Sequence, residues 1–497
     1  MAEVDRRAID ELGIPGAVLM EHAALGAVDA IGERFPGATR VAIYCGPGNN
    51  GGDGYAMARL LDARGYAVDI FRVGRRPGGD ALLQLEILER SGHEAVHIED
   101  SASLDAALGR GAAADLAVDA LFGAGLSRPL EGRPATLVQG LRKLPTPLLA
   151  VDLPSGLDAS RSTPIGPFAA ADLTVTFAAP KVAHVLAPAC DAMGEVVLVD
   201  LGIPAMLVAE APGSWHLLTR EDAASLVIEG DASAHKGSFG HTLVIAGSRG
   251  MSGAAILAVR AAVRGGAGLT TAAVPRALVD VVEASSFESM TVGLGAPGLG
   301  GSEHLGADDV DRLLDAASGK ASCVLGPGLG RAPSTGHAVR QLVERLETPL
   351  VLDADGLFAL GTDVTALKAR RAPAILTPHP GEMARLLGTD AAAVEADRPA
   401  AALELASRSG QIAVLKGRRT LVASPDGELW INPTGNAGMA TGGSGDVLAG
   451  LLGALLAQGY DASAAAGLGV YLHGLAGDLA AETSGRPALA AGDLIAS

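Results

Sequence analysis

Short apolar runs that end in a glycine turn recur in both halves of this 497-residue chain. The segments with this pattern are residues 41–54, 116–125, 148–156, 323–330, 350–357, 375–383 and 412–420. A short apolar run bounded by glycine is typical of a strand that is buried on both faces of a parallel sheet. In such a sheet the ligand binds outside the carboxyl ends of the strands. The pattern therefore predicts α/β units in which polar groups gather at one sheet edge.

The length and composition of the chain indicate more than one such unit. A chain of 497 residues is too long for one ordinary domain, and about two or three are expected. Hydrophobic residues make up 48% and aromatic residues only 3%, so the core must consist of Ala, Val and Leu packed against the 67 glycines. The strand and turn pattern loosens through residues 210–214. We therefore expect two domains, at residues 1–206 and 213–497.

The charge and the cysteines limit the partners and the compartment. A formal net charge of −18 opposes nucleic acid or an anionic membrane as the main partner, because both attract basic surfaces. The three cysteines are widely spaced and form neither a CxxC nor a metal-ligand pattern, which favours a reducing compartment. Residues 1–13 carry acids where a signal peptide needs a basic start. We expect a cytoplasmic homo-oligomer that binds small molecules and has neither nucleic-acid nor membrane partners.

The first glycine-rich segment resembles the phosphate-binding half of a Rossmann-like unit. Residues 41–45 are predicted to form a strand, residues 46–54 a loop and residues 55–63 a helix. The loop contains the GxGxxG spacing, and Asp69 follows at a suitable distance, so an NAD dehydrogenase is a rival interpretation. The ribose-binding acid of a dehydrogenase should close the second strand. Asp69 instead lies inside the predicted strand 67–73, which weakens this rival.

Side chains with oxygen atoms distinguish this segment from a plain dinucleotide loop. Asn49, Asn50 and Asp53 lie where such loops are apolar, and their oxygens suit a cation or the polar rim of a ligand. Ordinary Asn-Gly turn chemistry is the alternative. Two later apolar runs lead to Asp119 and Ser155, each at or just after a strand end. Because carboxyl ends of parallel strands meet at one edge, we expect Asn50, Asp119 and Ser155 to converge.

The motifs GPGNNGGDG, VDALFGAG, VDLPSGLD and FAAPK resemble the N-terminal YjeF domain, an NAD(P)H-hydrate epimerase, across about residues 1–205. The resemblance implies that Asn50, Asp119 and Ser155 hold a potassium ion, K⁺. The residues that it implies as contacts of the hydrated nucleotide are Asn49, Asn50, Gly51, Gly52, Asp53, Gly123, Ala124, Gly125, Leu126, Ser127, Arg128, Pro129 and Asp152. Two features depart from the family pattern: His22 stands where Asn is usual, and segment 159–166 is short.

In the second half, the segment around Asp446 has the features of an anion site. Residues 441–447 read TGGSGDV, and the apolar run 448–456 that follows has the length of a buried helix. The first turn of a helix attracts phosphate through its unpaired N–H groups and its dipole. A carboxylate would be repelled by that anion, so Asp446 is better suited to remove a proton from a hydroxyl. A helix cap is the alternative role for Asp446.

A second phosphate-binding feature precedes this segment. Lys416 follows the apolar run 412–415 and stands beside a glycine, with Thr420 four residues later, a set that can hold a diphosphate. The GxxxxGK[ST] pattern is absent from the sequence, which excludes a P-loop nucleotide hydrolase. His235 and His241 open this half of the chain. Without Cys or acid ligands beside them, ordinary hydrogen-bonding histidines are favoured over a metal site.

The motifs HKGSFGH, AGSRGMSGAA, GPGLG, DADGL, LTPHPGEMARLLG, LKGRRT and GMATGGSGDVLAG resemble the ribokinase-like ADP-dependent NAD(P)H-hydrate dehydratase. The resemblance covers about residues 213–497 and implies ADP with Mg²⁺. The implied ADP contacts are Lys416, Gly417, Arg418, Arg419, Thr420 and Gly445. The implied hydrate contacts are Ala254, Ala255, Gly328, His379 and Asp446, and the Asp at this position of the related kinases activates the attacked hydroxyl.

The sequence thus predicts an α/β protein with two three-layer α/β/α domains, an N-terminal Rossmann-like YjeF domain and a C-terminal ribokinase-like domain. The implied function is repair of hydrated NADH and NADPH. An isomerase activity would interconvert their R and S epimers, and a lyase activity would dehydrate the S epimer while ADP becomes AMP and phosphate. The rivals are a small-molecule kinase of the ribokinase-like class with a nucleotide-binding N-terminal domain, a dehydrogenase, and a non-catalytic binding protein.

Overall fold

The computed structural model describes residues 2–211, 213, 215–228, 234–295 and 303–497. The chain divides into two compact units, Met1–Ser214 and Trp215–Ser497. A compact unit is not by itself an independently active domain. The limits 1–206 and 213–497 for the two enzymatic domains therefore stay a prediction. Among the described residues, no helix combines the length and the apolar character needed to cross a bilayer.

The first unit is built on a parallel sheet. The strands among its described residues are β1 Arg40–Cys45, β2 Ala67–Val73, β3 Val96–Ile98, β4 Leu116–Ala120, β5 Leu148–Val151, β6 Leu173–Phe177 and β7 Glu195–Val199. The strand order is β3-β2-β1-β4-β5-β6-β7, and every pair is parallel. The order reverses between β1 and β4. A crevice at such a switch point is where open α/β sheets bind ligands.

Helices cover both faces of this sheet. They are α1 Ala2–Asp10, α2 Gly16–Arg34, α3 Asn49–Ala63, α4 Gly79–Arg90, α5 Ser101–Ala112, α6 Gly132–Leu141, α7 Val182–Val185 and α8 Ala205–Ala209. Strand β1 shows the two-face burial: Val41, Ile43 and Cys45 pack with α2, α3 and α4, whereas Ala42 and Tyr44 pack with α5 and α6. Alternate residues of a strand point to opposite faces. The unit is therefore a three-layer α/β/α sandwich.

The second unit has a larger, mixed sheet. In the described part of this unit the strands are β8 His216–Leu217, β9 His241–Ile245, β10 Leu269–Pro275, β11 Met290–Leu294, β12 Ser322–Leu325, β13 Leu350–Leu352, β14 Ala374–Leu376, β15 Ile412–Leu415, β16 Leu421–Ala423 and β17 Leu429–Ile431. Their order is β11-β10-β9-β12-β13-β14-β15-β16-β17-β8. The pairs from β11 to β15 are parallel, and β16 is antiparallel to both of its neighbours. Strands β12 to β15 therefore end at a common edge.

Twelve α-helices lie among the described residues of this unit. They are α9 Arg220–Leu226, α10 Ser252–Arg264, α11 Val279–Ser285, α12 Val310–Ala317, α13 Pro333–Arg345, α14 Asp355–Leu360, α15 Pro380–Leu387, α16 Ala391–Ala396, α17 Arg398–Ser409, α18 Ser444–Ala457, α19 Ala462–Ser484 and α20 Ala491–Ala496. Helix α18 is buried against the sheet, α10 and α19. A side chain at Gly450 would come within 2.0 Å of the Ala258 carbonyl oxygen, so only glycine permits this close crossing with α10.

The structure corrects one boundary expected from the sequence. Residues 46–54 were expected to form a loop before a helix at 55–63, but α3 begins at Asn49. The glycines serve close packing of this helix start: a side chain at Gly51 would come within 2.0 Å of the Gly46 carbonyl oxygen. A side chain at Gly54 would approach the Ala120 side chain to 2.7 Å. The many glycines of this segment therefore allow the start of α3 to pack closely against the ends of β1 and β4.

Candidate active sites

The carboxyl edge of the first sheet brings the three predicted potassium ligands to one place. Asp119, at the end of β4, is fully buried, and its carboxylate accepts hydrogen bonds from Ser155 Oγ at 2.6 Å and Ser155 N at 2.8 Å. Ser155 Oγ also accepts from the Phe122 N–H at 2.9 Å. Asn50, in the first turn of α3, lies beside Gly123, the residue after Phe122. A side chain at Gly123 would come within 2.8 Å of Asn50 Oδ1. Asn50 and Ser155 therefore border the same short segment beside Asp119.

These groups have the chemistry of a weakly charged cation site. Burial raises the pKa of Asp119 to about 6, although hydrogen bonds from Ser155 and Leu121 oppose that rise. A cation beside such a carboxylate would stabilise its ionised form. The Nδ2 atom of Asn50 is buried and lacks a hydrogen-bond partner in the described part of the chain, and rotating the amide would place an oxygen there. One carboxylate, one amide and one hydroxyl suit a monovalent ion better than a divalent one.

Asp152 lies at the centre of a second polar cluster. It follows β5 with φ of +65°, in the left-handed region that a non-glycine residue enters only when its surroundings hold it. Asp152 Oδ1 accepts hydrogen bonds from Lys181 Nζ at 2.7 Å and Thr176 Oγ1 at 3.1 Å, and Oδ2 accepts from the Ala124 N–H at 2.8 Å. Burial alone would raise the pKa of Asp152, but the Lys181 ammonium, together with the hydrogen bond from Ala124, lowers it. Asp152 is therefore an ionised, fixed acceptor.

Lys181 and His184 are site residues that the sequence analysis missed. The Lys181 side chain is only 8% exposed, and its backbone N–H donates to His184 Nδ1 at 2.9 Å. His184 Nε2 in turn donates to the Asp152 carbonyl oxygen at 2.7 Å. Burial, with the Lys181 charge, lowers the pKa of His184 to about 4, so the ring is neutral. The available signal was the lysine that ends the motif FAAPK, which was recognised without a role.

Helix α1 also contributes to this region. Burial raises the pKa of Asp53 well above its usual value, and the charges of Asp152 and Asp5 raise it further. Burial also raises the pKa of Asp5, which lies in α1. The carboxyl groups of Asp5, Asp53 and Asp152 thus interact with one another, although the sequence indicated no role for α1.

Segment 123–129, which is predicted to contact the hydrated nucleotide, forms the rim of the polar cluster around Asp152. The Ala124 N–H is engaged by Asp152, whereas Gly125, Ser127, Arg128 and Pro129 are exposed to solvent. A side chain at Gly166 would come within 3.0 Å of the Pro129 side chain, so the short segment 159–166 reaches the rim.

Two features bear on the remaining predictions for the first unit. Asp69 lies near the amino end of β2, away from the edge where a ribose-binding acid belongs, and it forms ion pairs with Arg110 and Arg40. This placement weakens the dehydrogenase interpretation further. His22, in α2, has its Nδ1 atom 3.4 Å from the Leu201 carbonyl oxygen.

In the second unit, Asp446 lies in the first turn of α18. The helix begins at Ser444, and its N-cap is Gly443 with φ of +96° and no side-chain cap. Within the described ranges, the Asp446 carboxylate accepts no hydrogen bond, so it does not cap the helix. Burial raises the pKa of Asp446 to about 7, with Asp353 raising it further and Lys416 opposing the rise. A base with a pKa near neutrality suits proton abstraction.

Lys416 links the end of β15 to the start of α18. Its Nζ donates to Asp353 Oδ1 at 2.7 Å and lies 3.9 Å from Glu382 Oε2. Burial would lower the pKa of Lys416, but the charges of Asp353 and Glu382 outweigh burial and raise it. Thr377 Oγ1 donates to the same Asp353 oxygen at 2.7 Å. A side chain at Gly445 would come within 3.2 Å of Lys416 Nζ, so the ammonium reaches the helix N-terminus.

The other predicted ADP contacts form the turn between β15 and β16. Gly417 and Arg419 have φ of +139° and +57°, both in the region that favours glycine. Thr420 Oγ1 donates to the Gly417 carbonyl oxygen at 3.1 Å, and an Arg419 guanidinium nitrogen donates to the Pro433 carbonyl oxygen. Gly417 and Arg418 are exposed. The structure therefore places all of these residues beside Lys416.

The predicted hydrate contacts are partly brought together. A side chain at Gly328 would meet the Ala254 side chain at 2.8 Å, so these two residues adjoin. Ala255 is fully buried in the core, and a side chain placed at Gly247 would come within 3.1 Å of it. It is Ala254, not Ala255, that remains available to a ligand. His379 is the N-cap of α15, and its side chain is 57% exposed.

Asp353, Glu382 and His473 are three further residues that the sequence analysis missed. The first two stand in the recognised motifs DADGL and LTPHPGEM, but only the structure shows that they flank Lys416. His473 lies in α19, and its Nε2 donates to the Ser444 carbonyl oxygen at 2.9 Å. Burial lowers the pKa of His473 to about 4, so a neutral ring holds the first residue of α18.

The histidines that open the second half make ordinary hydrogen bonds. His241 Nε2 lies 2.8 Å from Thr271 Oγ1, and His235 Nδ1 accepts from the Gly237 N–H at 3.1 Å. No group of three or more His, Cys, Asp or Glu side chains is arranged as a metal site in the described portion of the chain.

A partly buried carboxylate and a lysine ammonium at a helix N-terminus, on the carboxyl edge of an α/β sheet, are the arrangement of a nucleotide-dependent enzyme of the ribokinase-like class. The comparisons with known proteins agree. The family described as NAD(P)H-hydrate dehydratase matches residues 242–497, and the YjeF-related protein N-terminus matches residues 16–183. The chain belongs to the family of bifunctional NAD(P)H-hydrate repair enzymes, and the resemblance inferred from the motifs is confirmed.

Individual relatives match the chain over nearly its full length. It is 43% identical to the bifunctional NAD(P)H-hydrate repair enzyme Nnr of Moorella thermoacetica, over 100% of this chain and 94% of that protein. It is 36% identical to the like-named enzyme of Thermofilum pendens, over 98% of this chain and 92% of that protein. A crystal structure of the ADP/ATP-dependent NAD(P)H-hydrate dehydratase of Bacillus subtilis with ATP and Mg²⁺ is 32% identical, with a TM-score of 0.50, and covers 57% of this chain and 96% of that one.

Proposed function

We propose that this chain repairs hydrated NADH and NADPH through two activities. The first unit interconverts the R and S epimers of the hydrated nicotinamide ring. The second unit dehydrates the S epimer while ADP is converted to AMP and phosphate. The observation that carries this proposal is the Asp446 carboxylate, which accepts no hydrogen bond from any described residue and lies at the start of α18, close enough to Lys416 for their charges to interact.

The second site has the groups that such a dehydration needs. Asp446 takes the proton of the ring hydroxyl, whose oxygen then bonds to the β-phosphorus of ADP as AMP leaves with the electron pair of the broken bond. The carbon–oxygen bond next breaks, and phosphate takes that electron pair. Loss of a proton from the neighbouring carbon restores the ring double bond. Phosphate is a far better leaving group than hydroxide, and positioning with anion stabilisation supplies most of the catalysis.

Mg²⁺ is expected to accompany the nucleotide, as in the Bacillus subtilis structure. Asp353 and Glu382 are the acids that could hold it, because both flank Lys416 at the phosphate side of the site. Mg²⁺ usually binds through one or two carboxylates together with substrate phosphates, so the donors present fit it. When bound, it would neutralise part of the phosphate charge.

For the first unit we further propose that Asn50, Asp119 and Ser155 hold K⁺. Its support is the single buried carboxylate with one amide and one hydroxyl beside it. Asp152 is the proposed acceptor for the hydrated nucleotide. Three of its acceptor positions are occupied by Lys181, Thr176 and Ala124, and one remains of the roughly four on a carboxylate.

The test is recovery of the reduced-nicotinamide absorbance from hydrated NADH, first with ADP and then with ATP, together with phosphate release. The proposal predicts that absorbance and phosphate rise in equal amounts. Accumulation of a stable phosphate ester without absorbance would instead identify a small-molecule kinase. Loss of reduced cofactor would identify a dehydrogenase.

The compartment and the assembly state stay predictions. No disulfide links Cys45, Cys190 or Cys323 in the described part of the chain, and Cys45 and Cys323 are buried, which suits the reducing cytoplasm. A homo-oligomer is expected, and sedimentation of the purified protein would test it.

A further inference from the structure

Arg398, the first residue of α17, is buried beneath the turn that carries the predicted ADP contacts. The residue is only 7% exposed. One guanidinium nitrogen donates to the Arg418 carbonyl oxygen. The other terminal nitrogen lies 3.4 Å from the Leu415 carbonyl oxygen and 3.5 Å from that of Lys416. A single side chain therefore gathers three backbone carbonyls from the segment 415–418.

The N–H groups of the same turn are left available. In the part of the chain that the structure describes, the N–H groups of Gly417, Arg419 and Thr420 have no hydrogen-bond acceptor. Gly417 and Arg419 have positive φ angles, and alternating backbone conformations of this kind gather N–H groups into anion-binding concavities. Within the described residues, Arg398 thus holds the Lys416 and Arg418 carbonyls of the turn, while the N–H groups of Gly417, Arg419 and Thr420 are open to an anionic ligand.

The turn and the guanidinium also fit each other sterically. A side chain at Gly417 would come within 2.9 Å of an Arg398 terminal nitrogen, so the backbone there packs directly on the guanidinium. Burial lowers the pKa of Arg398, and Glu395 only partly offsets this effect. The loop carbonyls are what compensate the buried charge. Removing the guanidinium would therefore release the turn.

We propose that Arg398 is a positioning residue for the nucleotide. It holds the carbonyls of the turn away from the ligand, so that the N–H groups and Lys416 face the diphosphate of ADP. Arg398 does not touch the nucleotide and acts only through the turn. This inference rests on the proposed function of the second unit.

The test compares Arg398→Met with Arg370→Met in the full chain. Arg370 is a matched control, because it is a half-buried arginine whose guanidinium donates to the Val343 and Thr348 carbonyl oxygens at 2.5 and 2.9 Å. Calorimetric titration with ADP and steady-state kinetics of dehydration would be measured for both. We expect Arg398→Met to raise the Kd and KM for ADP by roughly 10-fold to 100-fold, with a much smaller change in kcat and in the KM for the hydrate.

Arg398→Lys keeps the charge but can reach fewer carbonyls, so it should give an ADP affinity between those of the unsubstituted chain and Arg398→Met. If Arg398→Met does not fold, the ADP affinity of Arg398→Lys tests the inference instead. Unchanged ADP affinity in the variant that folds would overturn the inference. An equal loss of affinity in Arg370→Met would also overturn it, because general destabilisation would then explain the effect. If the unsubstituted chain binds no ADP, the proposed dehydratase function itself fails.

Discussion

At the residue scale, both candidate sites place a lysine ammonium against an aspartate at a strand end. Lys181 Nζ lies 2.7 Å from Asp152 Oδ1, and Lys416 Nζ lies 2.7 Å from Asp353 Oδ1. Burial alone favours the neutral form of each group. The pairing nevertheless lowers the pKa of Asp152 and raises that of Lys416. Loss of one partner should therefore change the charge of the other.

Lys181→Met should move the pH dependence of epimerisation. Without the ammonium, burial and the nearby acids Asp5 and Asp53 raise the pKa of Asp152, while His184 is neutral. Asp152 accepts a stronger, charge-assisted hydrogen bond from substrate when it is ionised, so the acid limb of kcat/KM shifts upward. Activity at about pH 6 should fall more than activity at about pH 8. Lys181→Arg should keep the original limb, and superimposable profiles for wild type and Lys181→Met would contradict this role.

The first unit should need a monovalent cation. The donors are the Asn50 amide, the Ser155 hydroxyl and one acid, Asp119, a set too weakly charged for a dedicated divalent site. Replacing potassium with a bulky organic cation should slow epimerisation, and Asn50→Ala should have the same effect. Dehydration of the pure S epimer by Asn50→Ala serves as the control and should be unchanged. Full epimerisation without any alkali cation would refute the cation site.

Residue roles were predictable where spacing alone places a group at a strand end. Asn50, Asp119 and Ser155 were expected to converge, and the structure places them around one short segment. Lys181 could not be assigned in this way, because its partner Asp152 lies 29 residues away and the contact depends on a left-handed backbone at Asp152. The role of these residues in the reaction stays a prediction.

At the scale of elements, the close packing of α3 on β1 should be sensitive to one methyl group. Gly51→Ala would place a carbon 2.0 Å from the Gly46 carbonyl oxygen and push the helix away from the strand end. We expect a loss of about 1–3 kcal/mol in the free energy of unfolding of the first unit. Epimerisation should fall with it, because Asn50 moves with the helix. Thermal or denaturant unfolding, together with both activities, would measure this.

Gly109→Ala is the matched control for that experiment. Gly109 lies within α5, and a side chain there would meet nothing within 4 Å. Alanine should therefore stabilise the helix by up to about 1 kcal/mol. If Gly51→Ala were as stable as Gly109→Ala, the packing account of the glycine-rich helix start would be wrong.

Strand bounds followed the sequence closely where glycines flank the segment, as Gly65 and Gly74 do on either side of β2. Strand β2 was expected at residues 67–73 and is observed at Ala67–Val73. The start of α3 was missed, because glycines usually indicate a turn, and close approach of a helix to a strand leaves the same sequence signal. What separates the two cases is the backbone that faces Gly51, which belongs to Gly46.

At the scale of the whole molecule, the two activities should be separable. Each compact unit has its own sheet and its own candidate site. We expect residues 1–206 alone to epimerise the hydrates, and residues 213–497 alone to dehydrate only the S epimer. Chromatography of the two epimers with each fragment would test this. Failure of both fragments to fold would show that the boundary or the independence is wrong.

Asp446→Asn in the full chain tests the central claim most directly. Asparagine keeps the size of the side chain but cannot act as a base. With pure S epimer and ADP, we expect dehydration to fall by roughly 100-fold to 10,000-fold, while ADP affinity stays similar or becomes slightly tighter because a charge near phosphate is removed. The same sample should still convert the S epimer to the equilibrium mixture of both epimers.

Epimer chromatography, reduced-nicotinamide absorbance and ADP titration on this one variant measure all three quantities. The account predicts a mixture of R and S epimers, almost no recovered absorbance, and retained ADP binding. A near-normal rate of absorbance recovery would mean that Asp446 is not the base, and S epimer that stays unchanged would mean that the first unit is not an epimerase.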